Sequence, residues 1–141
     1  MAKDAVECAL QALRYRDRTG FEIDEYLRSR GFSDEDRGQA VETLSRTGLV
    51  DDGRFAQARA SSLAERGAGN ALIRAKLARA GLARELVDDA LDAVEPEATR
   101  ARRIVARRGT SPKTARYLVG KGFSEGVVRS VIAERGDDEL G

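Results

Sequence analysis

Apolar residues recur along this chain at intervals of three and four positions, and short polar stretches separate the groups that they form. Near the start, Val6, Leu10 and Leu13 are spaced so that a helix places their side chains on one face. Similar groups follow through the rest of the 141 residues. The pattern therefore predicts a series of helices, each with one apolar face directed at a core.

Residues that begin and end helices divide this pattern into nine predicted helices. Asp51 or Asp52 is expected to cap the fourth helix, and Ser111 followed by Pro112 is expected to begin the eighth. The fourth helix should end at the glycines of 67–69. The other predicted ranges are 4–17, 21–30, 34–46, 70–80, 84–94, 97–108, 112–121 and 125–135.

Four of these helices end in the same signal, which is a leucine, three further residues, a glycine and an apolar residue. Glycine takes the left-handed backbone at a helix end at little cost, and the apolar side chain after it packs back on the leucine. The signal predicts where helices stop and by itself says nothing about function. Its members are Leu27, Gly31 and Phe32; Leu44, Gly48 and Leu49; Leu77, Gly81 and Leu82; and Leu118, Gly122 and Phe123.

Three of the glycines, Gly31, Gly81 and Gly122, are followed nine and ten residues later by a pair of apolar residues. Their separations of 50 and 41 residues are typical of helical repeats. The sequence therefore predicts an all-α fold of three tandem three-helix modules, similar to helix-turn-helix units. The modules should stack into an elongated, curved, solenoid-like array, since none is large enough to bury its apolar face alone. Their predicted ranges are 1–49, 50–95 and 96–141.

Composition limits the chemistry of such an array. The chain has one cysteine, Cys8, and no histidine, which excludes an internal disulfide, His-dependent triads and the common zinc sites. Asp51 and Asp52 lack the further oxygen ligands that a hard cation needs, so we interpret them as helix caps. No apolar stretch approaches the roughly 20 residues of a membrane span. We therefore expect a cytoplasmic protein without enzymatic activity, cofactor, metal or membrane contact.

Basic residues are concentrated in the last predicted module. Residues 96–141 carry 10 basic and 6 acidic side chains, although the net charge of the whole chain is only +1. On a helical wheel, Arg100, Arg103 and Arg107 form a row that points away from the apolar face of their helix. Such a row is suited to a polyanion, and it is also the pattern of a plain solvated surface.

A nine-residue stretch carries a family resemblance. Residues 48–56, GLVDDGRFA, resemble the signature Gly-Leu-(Ile/Leu)-Asp-Asp-x-x-Phe-Ala of the RecX family, regulators of the RecA recombinase. Similar elements occur at 9–27, 67–82 and 116–124, so the resemblance covers nearly the whole chain. Arg59 departs from it, because an aromatic residue is common at that position. The residues of the shared structural motif are Gly31, Phe32, Gly48, Leu49, Asp51, Asp52, Phe55, Gly81, Leu82, Gly122 and Phe123.

The resemblance implies a monomeric crescent of three modules that lies in the groove of a RecA filament and reaches single-stranded DNA through that filament. Members of the family modulate the recombinase in DNA repair, DNA recombination and the SOS response. They most often inhibit ATP hydrolysis and strand exchange and promote disassembly. The basic residues expected to contact the filament or its nucleic acid are Arg74, Lys76, Arg100, Arg103, Arg107, Lys113, Arg116 and Lys121.

Two other functions remain open on the sequence alone. Short helices joined at glycine turns also occur in helix-turn-helix proteins that bind DNA without a recombinase partner. Residues 34–37, DEDR, are too acidic to enter a major groove, so only the third module suits that function. The other alternative is a scaffold without nucleic-acid contact, whose basic residues are merely solvated.

Overall fold

A computed structural model of the chain describes residues 1–140, with the side chains of residues 1–136. This part of the chain forms nine α-helices and no β-strand, which confirms the all-α prediction. The predicted bounds agree closely, except that the first helix ends at residue 13 and not at 17, and the last continues to residue 140 and not only to 135. The helices are α1 (Ala2–Leu13), α2 (Gly20–Ser29), α3 (Asp34–Arg46), α4 (Asp52–Glu65), α5 (Asn70–Arg79), α6 (Arg84–Ala93), α7 (Glu97–Arg108), α8 (Pro112–Gly120) and α9 (Glu125–Leu140).

Polar side chains begin several of these helices. Thr19 caps α2, because its Oγ1 accepts the Glu22 N–H at 3.1 Å while the Glu22 carboxylate accepts the Thr19 N–H at 3.1 Å. Asp51 caps α4 by accepting the Arg54 N–H at 3.0 Å. Ser111 caps α8, which begins with proline. The predicted caps at 51 and 111 are therefore confirmed.

Left-handed glycines end three helices as predicted. Gly31, Gly81 and Gly122 have φ angles of 87°, 80° and 94°. In each case the N–H of the following residue donates to the carbonyl of the leucine five residues before it, which closes the helix end. These bonds run from Phe32 to Leu27 at 3.2 Å, from Leu82 to Leu77 at 3.4 Å and from Phe123 to Leu118 at 3.0 Å.

The fourth helix-end signal is only partly right. Gly48 has a φ of 80°, but Leu49 is 52% exposed and does not pack back on Leu44. Val50 takes its place, since it is 3% exposed and its N–H donates to the Leu44 carbonyl at 3.0 Å. The turn is one residue longer than predicted, so the next residue along reaches the core. The prediction for Leu49 is therefore wrong.

Three separate apolar clusters hold the helices in triplets. They lie among α1–α3, α4–α6 and α7–α9, and within the described residues every helix pair with extensive contact belongs to one triplet. The middle helix of each triplet contributes a fully buried leucine, namely Leu27, Leu77 and Leu118. Val50 packs in the first cluster, although the predicted boundary assigns it to the second module. The boundaries at 1–49, 50–95 and 96–141 stay a prediction.

The three clusters leave the molecule with a large surface for its mass. The accessible surface is 8631 Å², whereas a compact monomer of 15.3 kDa has roughly 7,100 Å². Three small cores in series account for this excess, since none of them encloses the others. The curvature of the array stays a prediction. In the part of the chain that the structure describes, no helix has the length and apolarity needed to cross a bilayer.

Arg37 is a buried charge within the first triplet and leads to a prediction. Its guanidinium donates to the Phe32 carbonyl at 2.7 Å and to the carboxylates of Asp24 at 2.9 Å and Asp34 at 2.5 Å. The hydrogen bond to Asp24 raises the pKa of Arg37, so the side chain stays charged. We expect Arg37→Met to lower the melting temperature by several degrees, because it removes the donor to the Phe32 carbonyl and the close ion pair with Asp24. Arg46→Met, at an exposed position of α3, is the matched control, and equal melting temperatures for the two variants would contradict this role.

Candidate nucleic-acid interface

The helix triplets meet through the ends of their middle helices. At the first joint, between the first two triplets, α2 begins against the end of α5, and Thr19 Oγ1 donates to the Ala80 carbonyl at 2.6 Å. At the second joint, α5 begins against the end of α8, and the Gly69 N–H donates to the Lys121 carbonyl at 2.8 Å. The same pair of helix ends is therefore used twice along the molecule.

A carboxylate braces each joint in the same way. Asp52, the first residue of α4, accepts the N–H of Gly20, the first residue of α2, at 2.9 Å. Glu97, the first residue of α7, accepts the N–H of Asn70, the first residue of α5, at 2.6 Å. Each carboxylate satisfies a free amide and meets the positive end of a helix dipole. Asp52 thus caps a helix of the neighbouring triplet, a role that the local sequence around it does not indicate.

Arg100 does not belong to the exposed arginine row that the helical wheel predicts. Its side chain is 5% exposed and donates to the carbonyls of Ala68 at 2.6 Å and Glu95 at 2.8 Å, and to Asn70 Oδ1. The prediction that it points away from the core is wrong. On the wheel it lies only about 40° from Ile104, at the edge of the apolar face, and the second triplet covers this edge. Arg100 is therefore closed to a ligand.

Acidic neighbours neutralise two further residues of the predicted contact set. Arg103 Nη2 lies 2.7 Å from Glu95 Oε1, and Arg74 Nη1 lies 2.7 Å from Asp88 Oδ1. Both arginines are about half exposed or more, so solvent screens these ion pairs and they hold the side chains weakly. Their attraction for a polyanion is reduced by the adjacent carboxylates.

The other predicted contact residues keep their charge available. Lys76, Arg107, Lys113 and Arg116 are exposed, and Lys121 is half-buried beside the second joint. Among the side chains of residues 1–136, none of these five pairs with a carboxylate. Their contact with a filament or nucleic acid stays a prediction.

A basic cleft lies over the first joint, and we call it the first joint cleft. Arg16 pairs with Glu22 at 3.2 Å, which leaves three other cations opposed by one carboxylate. One of the three, Arg59, stands where the family resemblance leads us to expect an aromatic side chain. The lining residues are Arg16, Asp17, Glu22, Phe55, Arg59, Lys76, Arg79 and Ala80.

A second basic cleft, the second joint cleft, lies between the second and third triplets. Three arginines face one carboxylate there, and the Arg108 guanidinium carbon lies 3.6 Å from the centroid of the Tyr117 ring. Positive charge next to aromatic faces is typical of surfaces that bind single-stranded nucleic acid. The lining residues are Glu65, Arg66, Gly67, Ile104, Arg107, Arg108 and Tyr117.

Helix α4 connects the two clefts. Arg59 and Arg66 are seven residues apart, so they lie on one face of the helix about 10 Å from each other along its axis. The contact residues predicted from the sequence do not include them, although this spacing is a signal that the sequence contains. Arg79, Arg108 and Tyr117 reach the clefts only through tertiary packing.

Comparisons with known proteins agree with this architecture. The first three-helix domain of RecX matches residues 5–44, and the second matches residues 51–91. The regulatory protein RecX of Halorhodospira halophila is 32% identical over 98% of this chain and 92% of its own length, and that of Streptomyces coelicolor is 36% identical over 96% and 84%. The crystal structure of RecX from Lactobacillus salivarius, 20% identical, has the same fold with a TM-score of 0.82 over 96% of both chains. The resemblance is thus confirmed, and the chain belongs to the RecX family of regulatory proteins.

Proposed function

We propose that this chain is a cytoplasmic, monomeric regulator that binds a RecA-type recombinase filament on single-stranded DNA. Binding lowers ATP hydrolysis, strand exchange and filament assembly. The observation that carries the proposal is the match to RecX regulatory proteins over nearly the whole chain.

The geometry of the joints supports a long polymeric partner. Two basic clefts lie along α4, one beside Arg59 near its middle and the other beside Arg66, which directly follows its last residue. Charge placed at intervals along an array of triplets suits a partner that is itself extended and negatively charged. A small ligand would need only one of the clefts.

A helix-turn-helix protein that binds DNA without a recombinase is the second candidate. The helix that would enter the major groove in the third triplet is α9, which begins with Glu125 and Gly126. The N–H of Ser124, just before this helix, donates to Glu97 Oε1 at 3.4 Å. An acidic helix start repels the phosphates that line the major groove, so the geometry favours the filament.

The proposal predicts a dose-dependent fall in the recombinase's ATPase rate. The measurement is steady-state ATP hydrolysis by a RecA-type recombinase on single-stranded DNA, with increasing amounts of this protein. We expect the rate to fall as the protein approaches stoichiometry with the filament. An unchanged rate at saturating protein would overturn the proposal. An increased rate would mean that the protein stimulates the recombinase and does not inhibit it.

A charge-matched pair of variants tests whether the clefts matter to that effect. Lys76→Glu reverses the charge of a cation in the lining of the first joint cleft. Arg46→Glu makes the same change of charge at an exposed position outside both clefts. We expect Lys76→Glu to require more protein for half-maximal inhibition and Arg46→Glu to behave like the unaltered chain. The same shift for both variants would mean that net charge alone, and not the cleft, determines the effect.

A further inference from the structure

The second joint cleft is assembled from two triplets. Arg66 and Gly67 come from the end of α4, whereas Arg107 and Arg108 come from the last turn of α7. Neither triplet alone brings these arginines together. The cleft therefore depends on how α7 is docked against the end of α4.

Arg100 determines that docking. It lies on α7 seven residues before Arg107, on the same helix face and about 10 Å away along the axis. Its guanidinium donates to the Ala68 carbonyl at 2.6 Å and to Asn70 Oδ1, and these residues lie one and three positions after Gly67 of the cleft. One planar side chain thus sets the register between α7 and the chain that leaves α4.

Burial excludes Arg100 itself from ligand binding. The side chain is 5% exposed, and burial lowers the pKa of its guanidinium, while the carboxylates of Glu97 and Glu95 act in the opposite direction. An arginine stays protonated under such conditions, so the group is a charged donor, and each of its three nitrogens donates to a protein oxygen. Any effect of Arg100 on binding must pass through the position of other residues.

The chemistry of the cleft suits a phosphodiester backbone better than an acidic protein surface. Guanidinium groups bind both phosphate and carboxylate in two-point contacts. The stacked pair of Arg108 and Tyr117 adds a flat face on which an unpaired base can stack. An acidic side chain has no ring that could stack on this face. The arginine face of α4 also continues toward the first joint cleft, as a polymer requires.

We propose that the second joint cleft grips the backbone of a single-stranded nucleic acid, and that Arg100 is the positioning residue that forms this cleft by locking α7 onto the end of α4. This inference rests on the proposed function, which it deepens by naming the site and the residue that shapes it. It makes a claim that does not require the recombinase to be present.

The test is the anisotropy of a fluorescein-labelled oligothymidylate titrated with this protein in the absence of recombinase, over a series of salt concentrations. We expect Arg107→Ala to weaken binding about tenfold and to reduce the slope of log affinity against log salt. Arg100→Lys keeps the net charge but loses the planar fork, and we expect a loss of about fivefold or more with the same reduced slope. Asn70→Ala removes one acceptor of the fork and should give the same pattern.

Matched variants and a double substitution separate positioning from general damage. Arg129→Ala, at an exposed position of α9 outside the cleft, removes one charge and should leave affinity within about twofold. Because Arg100 acts through the cleft to which Arg107 belongs, Arg100→Lys combined with Arg107→Ala should lose less affinity than the sum of the two single losses. Melting curves must show that each variant is folded at the assay temperature. If Arg100→Lys does not fold, Asn70→Ala replaces it as the test of the contact between Arg100 and Asn70.

The outcomes distinguish this inference from the proposed function. Unaltered oligothymidylate affinity in Arg107→Ala, or additive losses in the double variant, would overturn the inference. The proposed function would not be affected, because the ATPase assay tests it independently. Tighter binding of a labelled polyglutamate than of the oligothymidylate would overturn it in favour of an acidic protein surface. A protein that binds through this cleft yet leaves recombinase ATPase unchanged would keep the inference and remove the proposed function.

Discussion

Gly69→Ala is expected to destabilise the chain by about 2 kcal/mol or more, because it forces the second and third triplets apart. A Cβ at this position would lie 2.3 Å from the Gly122 carbonyl carbon and 2.3 Å from the Phe123 nitrogen. Both are backbone atoms at the end of α8, which no rotamer change can move. The φ angle of Gly69 is −81°, so alanine adds no backbone strain and the effect is purely steric. Urea unfolding followed by circular dichroism measures the loss.

Gly38→Ala is the matched control for Gly69→Ala. Gly38 lies inside α3, and a Cβ there would meet nothing within 4 Å. The same substitution should therefore stabilise the helix by up to about 1 kcal/mol, which is the opposite sign. Limited proteolysis provides a second readout, since only Gly69→Ala should speed cleavage between the second and third triplets. A shift of the same sign in both variants would sink the steric argument.

Gly81→Val is expected to cost about 2–4 kcal/mol at the first joint, from two separate causes. The φ of 80° is unfavourable for any residue with a side chain, and most of all for a β-branched one. A Cβ would also lie 2.2 Å from Phe21 Cγ and 2.3 Å from Phe21 Cβ, at the start of α2. Phe21 is 48% exposed, but its Cβ moves only if the helix moves. Thermal and urea unfolding measure the loss.

Gly31→Val separates the two causes. Gly31 ends α2 with a φ of 87°, and nothing lies within 4 Å of the position of its Cβ. This variant therefore pays only the backbone strain, about 1–2 kcal/mol. The additional loss in Gly81→Val reports the contact between triplets. If the two variants unfold at the same urea concentration, the first joint moves to accommodate the valine side chain and the contact with Phe21 does not contribute to the loss.

The two joints use the same helix ends but differ in what holds them. At the second joint, main-chain hydrogen bonds run from Gly69 to Lys121 at 2.8 Å and from Ala71 to Gly122 at 3.0 Å, and Arg100 adds its own. At the first joint, side chains hold the start of α2 against the second triplet, through the Thr19 hydroxyl and the Asp52 carboxylate. Close backbone approach at the second joint explains why the steric cost of Gly69→Ala falls on atoms that cannot rotate away.

Local features of this protein could be predicted from its sequence because their causes are local. The apolar spacing predicted the helices, and a side-chain oxygen at 51 or 111 accepts from the amide three residues further on. The glycines at 31, 81 and 122 end helices whose last turns close on their own leucines. The prediction that Leu49 packs against Leu44 was wrong, because the turn after Gly48 is one residue longer and brings Val50 into the core instead. The prediction that Gly48 has a left-handed backbone was nevertheless correct.

The candidate site could be predicted only in part, because it lies where triplets meet. Composition and charge indicated the basic third triplet, and Arg107 and Lys76 do line the clefts. Arg100 looked like its neighbours on a helical wheel, since a wheel shows one helix and not the chain packed against it. Arg59 departs from the aromatic residue that the family resemblance leads us to expect, and the structure places it in the lining of the first joint cleft.

The amino-acid sequence by itself determined the helices, their ends and the repetition of a three-helix unit, since each depends on residues within a few turns of one another. Only the tertiary structure decided which charges are buried and which are free. Asp52 and Gly20 are 32 residues apart, as are Arg100 and Ala68, and whether such groups meet depends on how complete triplets dock. The desolvation of a charge depends on that docking, and helix periodicity contains no information about it.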